Sequence, residues 1–145
     1  MVMLEHIMSN VIELELKGDI AEVARLKREV ETFAEHLDLA ADIQFELTLA
    51  LEEAVSNIIN HGQLPTDKGM IHLKIEHHGG EASIELRDNG HPFNPLQGGD
   101  PDLDIPFEDR EIGGLGIFYL KQMMDHLDYR YADGQNILTM KKKTS

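Results

Sequence analysis

Regular patterning begins at "VIELEL" (11–16), where apolar and polar residues alternate with the two-residue period of a half-buried strand. Asp19 is placed to cap a helix reaching about Leu37, with apolar Ile20, Val23, Ala24, Leu26, Val30 and Phe33 at helical intervals. A second helix starts near Asp42 and ends at "NHG", where Gly62 is expected to supply a left-handed stop. "QLPTDKG" is a loop. In "MIHLKIEHHGGEASIELRD", Ile71, Leu73 and Ile75 alternate with polar residues. After "GG", Ala82, Ile84 and Leu86 do the same, which predicts a hairpin with one buried face. Residues 89–113 are rich in Gly, Pro and Asp and read as a long loop. "GLGIFYLKQMMDHL" then reads as a helix, and "DYRYA" and "NILTMKKK" as a closing hairpin around "DGQ". Helices segregated from a largely antiparallel sheet define an α+β, two-layer domain.

Composition narrows the function classes. The 145 residues suit one domain with 41% hydrophobic and 28% charged residues, a globular balance. Without cysteine there is neither a disulfide framework nor a thiolate nucleophile. The N-terminal "MVMLEHIMSN" carries Glu5 and no sustained apolar run, so no signal peptide is expected, nor any membrane span; the expected location is the cytoplasm. A formal charge of −14 argues against direct nucleic-acid binding, which rests on Lys and Arg neutralising phosphates. A protein partner with a basic face is compatible with it.

The second helix carries an unusual polar stripe. At 100° per residue, Glu46, Ala50, Glu53 and Asn57 share a narrow arc, with Asn60 and His61 at its edges. A solvated face would explain acids alone. Short amides, however, are poor helix formers, and no Lys or Arg within the stripe supplies ion pairs. Asn57 offers a neutral oxygen for Mg²⁺ and Glu53 can accept a proton.

Inward parity in the second hairpin strand runs 82, 84, 86 and so reaches Asp88 at the strand's end. A carboxylate there needs donors. It reads either as an Asx-turn into Asn89-Gly90 or as an acceptor at a pocket floor, with Gly90 letting backbone pass close to a flat ring. "GGLG" (113–116) opens a helix and presents N–H groups suited to phosphate, though it matches neither a P-loop nor a dinucleotide fingerprint. Asp100, Asp102, Asp104 and Glu111 imitate positions 1, 3, 5 and 12 of an EF-hand, but Ile105 stands where glycine is required, so calcium is rejected.

Together and in this order, "EEAVSNIINHG", "DNGHPF", "GGLGIFYLKQMMD" and "NILTM" resemble the Bergerat-fold ATPases, the family of gyrase, heat-shock chaperone ATPases, histidine kinases and MutL. The resemblance is strongest to the anti-sigma-factor serine/threonine kinase branch, typified by RsbW and SpoIIAB, and spans nearly the whole chain. It implies a two-layer sandwich of about three helices on a largely antiparallel, mixed sheet. It also implies ATP and Mg²⁺ as cofactors. By position, Glu53 would be the general base and Asn57 the Mg²⁺ ligand. Asp88 would accept from the adenine amino group, with Gly90 beneath the ring and Thr139 nearby through water. Gly114, Leu115 and Gly116 would offer backbone N–H groups to the phosphates, residues 94–112 would form the ATP lid, and Arg110 would contact phosphate or a partner. His61 matches the family's His-Gly and is expected to pack at the helix end.

The implied partners are a STAS-type anti-anti-sigma antagonist, which the kinase phosphorylates, and a sigma factor, which it sequesters. Homodimers are common among such relatives, but nothing in this sequence marks an interface. Two other readings stay open: a nucleotide-gated binding module without transfer, and the detached catalytic half of a histidine kinase.

Overall fold

A computed structural model describes residues 10–97 and 114–145, with the backbone alone at 114–116. The chain runs β1 (Val11–Lys17), α1 (Glu22–His36), α2 (Ala41–His61), β2 (Met70–His78), β3 (Glu81–Asp88), α3 (Gly114–Met123), β4 (His126–Ala132) and β5 (Gln135–Lys143). The five strands form one sheet in the order β1-β2-β3-β5-β4, and every described pairing is antiparallel. Among the described residues, three helices on one face of an antiparallel sheet make the α+β sandwich that the patterning predicts.

Strand alternation builds the core. Register places Leu14 opposite Leu73 and Leu73 opposite Leu86; Leu86 in turn pairs with Leu138, so one aliphatic row crosses four strands. Against it pack Leu26, Val30 and Phe33 of α1, Leu47, Leu51 and Val55 of α2, and Leu120 of α3. Both tight hairpins have two left-handed residues at their tips, Gly79 and Gly80 in one and Asp133 and Gly134 in the other, as the right-handed strand twist demands.

The helix ends differ from expectation. Asp19 does not cap α1: its Oδ1 accepts from Ala21 N at 3.0 Å in an Asx-turn, and the helix begins only at Glu22. Ile20 therefore lies outside the helix and is 55% exposed. Gly62 keeps a right-handed conformation (φ −79°), and the left-handed residue is Gln63 (φ 50°). Glycine is needed at 62 for space, since a Cβ there would lie 2.5 Å from Ile58 O.

The inner sheet face is apolar in the middle and polar at both ends. At one end Lys142, opposite Ala82, is 5% exposed; its Nζ donates to Glu46 Oε2 at 2.6 Å and to Met123 O at 2.8 Å. The polar stripe of α2 thus starts in an ion pair with β5, which also fastens the C-terminal end of α3. At the other end Asp88 faces Asn136 across the β3–β5 ladder. No described helix is long and apolar enough to cross a membrane.

Leu73 is fully buried at the centre of the aliphatic row. Leu73→Ala is expected to cost about 2–5 kcal/mol, by lost transfer energy plus the cavity left behind. Urea denaturation should show a lower midpoint with an unchanged slope.

Candidate functional site

A carboxylate at the end of an apolar sheet face must recruit donors, and Asp88 does so twice. Its Oδ1 accepts from Gly90 N at 2.9 Å and from Asn136 Nδ2 at 3.0 Å. Oδ2 receives no hydrogen bond among the described residues. It is not sealed off either: among those residues the only buried side-chain polar atom without a partner is Thr48 Oγ1. The free oxygen therefore keeps contact with the cleft that Asp88 lines. Burial pushes the Asp88 carboxyl above its ordinary range, while the Gly90 N–H and the Asn136 amide pull it back down.

The cleft has an empty volume of about 470 Å³, open solvent at its mouth included. Its walls come from four places. α2 gives Ala54, Asn57, Ile58 and Gly62, α3 gives Ile117, the segment after β3 gives His91, Phe93 and Pro95, and the closing hairpin gives Tyr129, Asn136 and Leu138. Mainly apolar surfaces, aliphatic and aromatic, thus flank a buried carboxylate, a setting for a flat apolar ring that carries an N–H donor.

Backbone closes the floor. His91 N donates to Gly62 O at 2.9 Å, tying the end of α2 to the segment after β3. A Cβ on Gly90 would run into Gly62 O and come within 2.9 Å of Asp88 Oδ1. Glycine at 90 is thus required by the approach of two backbones.

Residues 16–142 match the family described as the histidine kinase-like ATPase domain. The chain belongs to that family. This ATPase domain is 34% identical over 110 residues to serine/threonine-protein kinase BtrW of Bordetella bronchiseptica, a match covering 73% of this chain and 78% of that protein. It is 30% identical over 118 residues to an anti-sigma F factor of Clostridium botulinum, covering 81% of this chain and 82% of the relative. Its fold is similar to the crystal structure of the RsbU and RsbW domains of a Mycobacterium tuberculosis protein, with a TM-score of 0.68 and 15% identity. That match covers 92% of this chain and 32% of the other.

The structure gathers some of the sequence-derived residues of the ATPase domain and separates others. Asn57, Asp88 and Gly90 come together at the cleft. Glu53 lies one helical turn before Asn57, half-buried, and is not part of the cleft wall. Its carboxylate has no hydrogen-bond or ion-pair partner among the described residues. Gly114, Leu115 and Gly116 form the first turn of α3. Arg110 and the acidic run 100–111 lie outside the described residues, as does most of the expected lid, 94–112. His61 is exposed at the end of α2.

Thr139 is a correction. It pairs with Glu85, and both point to the sheet face away from the helices. Its Oγ1 reaches only Asp128 O, at 3.4 Å, so Thr139 stands on the wrong side of the sheet to approach Asp88. The inward position at that strand end belongs to Asn136, which the sequence reading missed. Counting back from inward Met140 and Leu138 in steps of two would have found it.

A raised Asp88 carboxyl means that the folded state holds the proton more tightly than the unfolded chain. Its ionised form therefore lowers stability. That penalty is fully present above the folded value, shrinks as the pH falls through it, and is gone below the unfolded value. Asp88→Asn should accordingly raise the melting temperature of the ligand-free ATPase domain at neutral pH. The advantage over the parent should disappear on acidification, as thermal scans across that range would report.

Proposed function

We propose that this ATPase domain, spanning residues 1–145, is an anti-sigma factor and serine/threonine protein kinase. It binds ATP, transfers the γ-phosphoryl group to a STAS-type anti-anti-sigma antagonist, and sequesters a sigma factor when the antagonist is phosphorylated. The observation that carries the ATP site is the Asp88 carboxylate. One of its oxygens is saturated from within, and the other is free in a largely apolar cleft, where it suits an exocyclic amino group. The relatives' names, a serine/threonine-protein kinase and an anti-sigma F factor, support the activity and the class of partner.

The layout along α2 supports transfer as well as binding. Gly62 borders the purine end of the cleft, Asn57 follows inward, and Glu53 lies one turn further on. At 1.5 Å per residue, positions 62 to 53 span about 13 Å, so the helix runs alongside an extended nucleotide from base towards terminal phosphate. Asn57 would contribute an amide oxygen to Mg²⁺, which would supply positive charge against the phosphates. Among the described residues no group of three His, Cys, Asp or Glu could hold a metal by themselves, so Asn57 would hold Mg²⁺ only together with the nucleotide. The first turn of α3 would add backbone N–H groups at the phosphates. Glu53 would accept the proton of the antagonist's serine or threonine hydroxyl as its oxygen bonds to the γ-phosphorus and ADP departs. Cytoplasmic residence and a homodimer complete the reading, the latter to be checked by sedimentation.

Two variants separate binding from chemistry. Asp88→Asn should weaken ATP binding by roughly ten- to a hundredfold, the scale of a lost hydrogen bond to a charged group, as read by calorimetry. Glu53→Gln should bind ATP like the parent but lose phosphoryl transfer. The decisive assay follows label from γ-labelled ATP into proteins of the source organism. An acid-stable label on one small protein, absent with Glu53→Gln, is expected. An acid-labile label would instead indicate phosphohistidine. Tight ATP binding with no label would leave a nucleotide-gated binding module.

A further inference from the structure

Asn136 uses its whole amide inside the site. Its Nδ2 donates to Asp88 Oδ1 at 3.0 Å and to His91 O at 3.1 Å, with Gly90 O further off at 3.4 Å. Its Oδ1 accepts from Phe93 N at 3.1 Å and from the Tyr129 hydroxyl. These partners fix which end of the amide is which. Phe93 N can only donate, so it requires the oxygen; the carbonyls of Gly90 and His91 can only accept, so they require the nitrogen. Asn136 is 7% exposed and directly opposite Asp88 in the ladder, so neither side chain can turn away without unpairing buried groups.

We propose that Asn136 is a positioning residue that keeps Asp88 a pure acceptor with Oδ2 towards the base, and thereby makes the site choose a purine amino group over a purine carbonyl. This rests on the ATP-site reading above and adds the determinant of base selectivity.

The chemistry is a question of who donates. An ionised carboxylate accepts from the amino group of adenine and repels the carbonyl oxygen of hypoxanthine. A protonated carboxyl can donate to that carbonyl, so protonation of Asp88 would erase the distinction. Burial favours the protonated form, and the donors on Oδ1 oppose it. Gly90 N is one of them and belongs to the backbone; Asn136 is the other and is the one a substitution can remove. Tyr129 supports the arrangement from β4. Burial raises its hydroxyl above the ordinary range, so it stays a donor to Asn136 Oδ1. The other titratable group that lines the cleft is His91, on the segment after β3; α2 and α3 bring only Ala54, Asn57, Ile58, Gly62 and Ile117 to it among the described residues.

The test compares ATP with inosine triphosphate, which carries a carbonyl where adenine has its amino group. Affinities of both are measured by calorimetry for the parent, Asn136→Leu and Tyr129→Phe, on the acid and the alkaline side of neutrality. The parent should favour ATP. Asn136→Leu should narrow that preference by about tenfold or more, the scale of one hydrogen bond to a charged group, and more so on the acid side. Tyr129→Phe, which removes a single hydroxyl and leaves the fold least disturbed, should move the ratio in the same direction by less. If both variants weaken the two nucleotides in parallel, with the ratio unchanged at either pH, Asn136 has only a packing role and the inference is wrong. If the parent binds neither nucleotide, the ATP-site reading itself fails, a distinct result.

Discussion

A carboxylate placed at the end of an apolar sheet face constrains everything around it. Water no longer solvates Asp88 fully, so protein donors must, and they come from one backbone N–H two residues on and one amide on the neighbouring strand. The first requires the chain to turn back at once after β3, which brings Gly90 against Gly62 at the end of α2. The second requires β5 to sit beside β3 in one register only, because a one-residue slip would send Asn136 to the other face. The meeting of α2, the β3 exit and the closing hairpin around one cleft follows from those two hydrogen bonds.

The opposite end of the inner face solves the converse problem. There a buried ammonium, Lys142, is matched by Glu46 and by the Met123 carbonyl at the end of α3. Between these poles the face is aliphatic. The acidic pole lines the cleft and the basic pole fastens: Lys142 holds the C-terminal end of α3. The ion pair has one half-exposed member, Glu46, so its contribution to stability is modest compared with its role in setting where α3 lies.

The order of elements and the identity of the inward faces were legible in the sequence because period-two and period-3.6 patterns report burial directly. Asp88 was found this way, and Asn136 was findable by the same count on β5. Thr139 was assigned by resemblance instead, and strand parity overrides such an assignment: a residue paired with Glu85 cannot share a face with Leu86 and Asp88. Helix ends were less legible. Asp19 was a reasonable cap, but its side chain is spent on an Asx-turn. Gly62 looked like a left-handed stop, whereas it keeps a right-handed conformation and a Cβ there would crowd Ile58 O one turn earlier, which the residue type alone does not distinguish. The ion pair of Glu46 with a residue 96 positions away was likewise invisible along the helix.

The double-glycine floor has a consequence for chemical genetics. Backbone atoms cannot be trimmed, and adding a side chain at either glycine drives it into neighbouring main chain or side chain, so the floor fixes one limit of the cleft. The opposing walls are aliphatic side chains, Ile58, Ile117 and Leu138, each on a different element. An enlarged slot that admits a bulky, bio-orthogonal nucleotide must therefore be carved from those walls. Asp88, which on the proposed function would meet the base, can stay in place while the wall behind it is replaced.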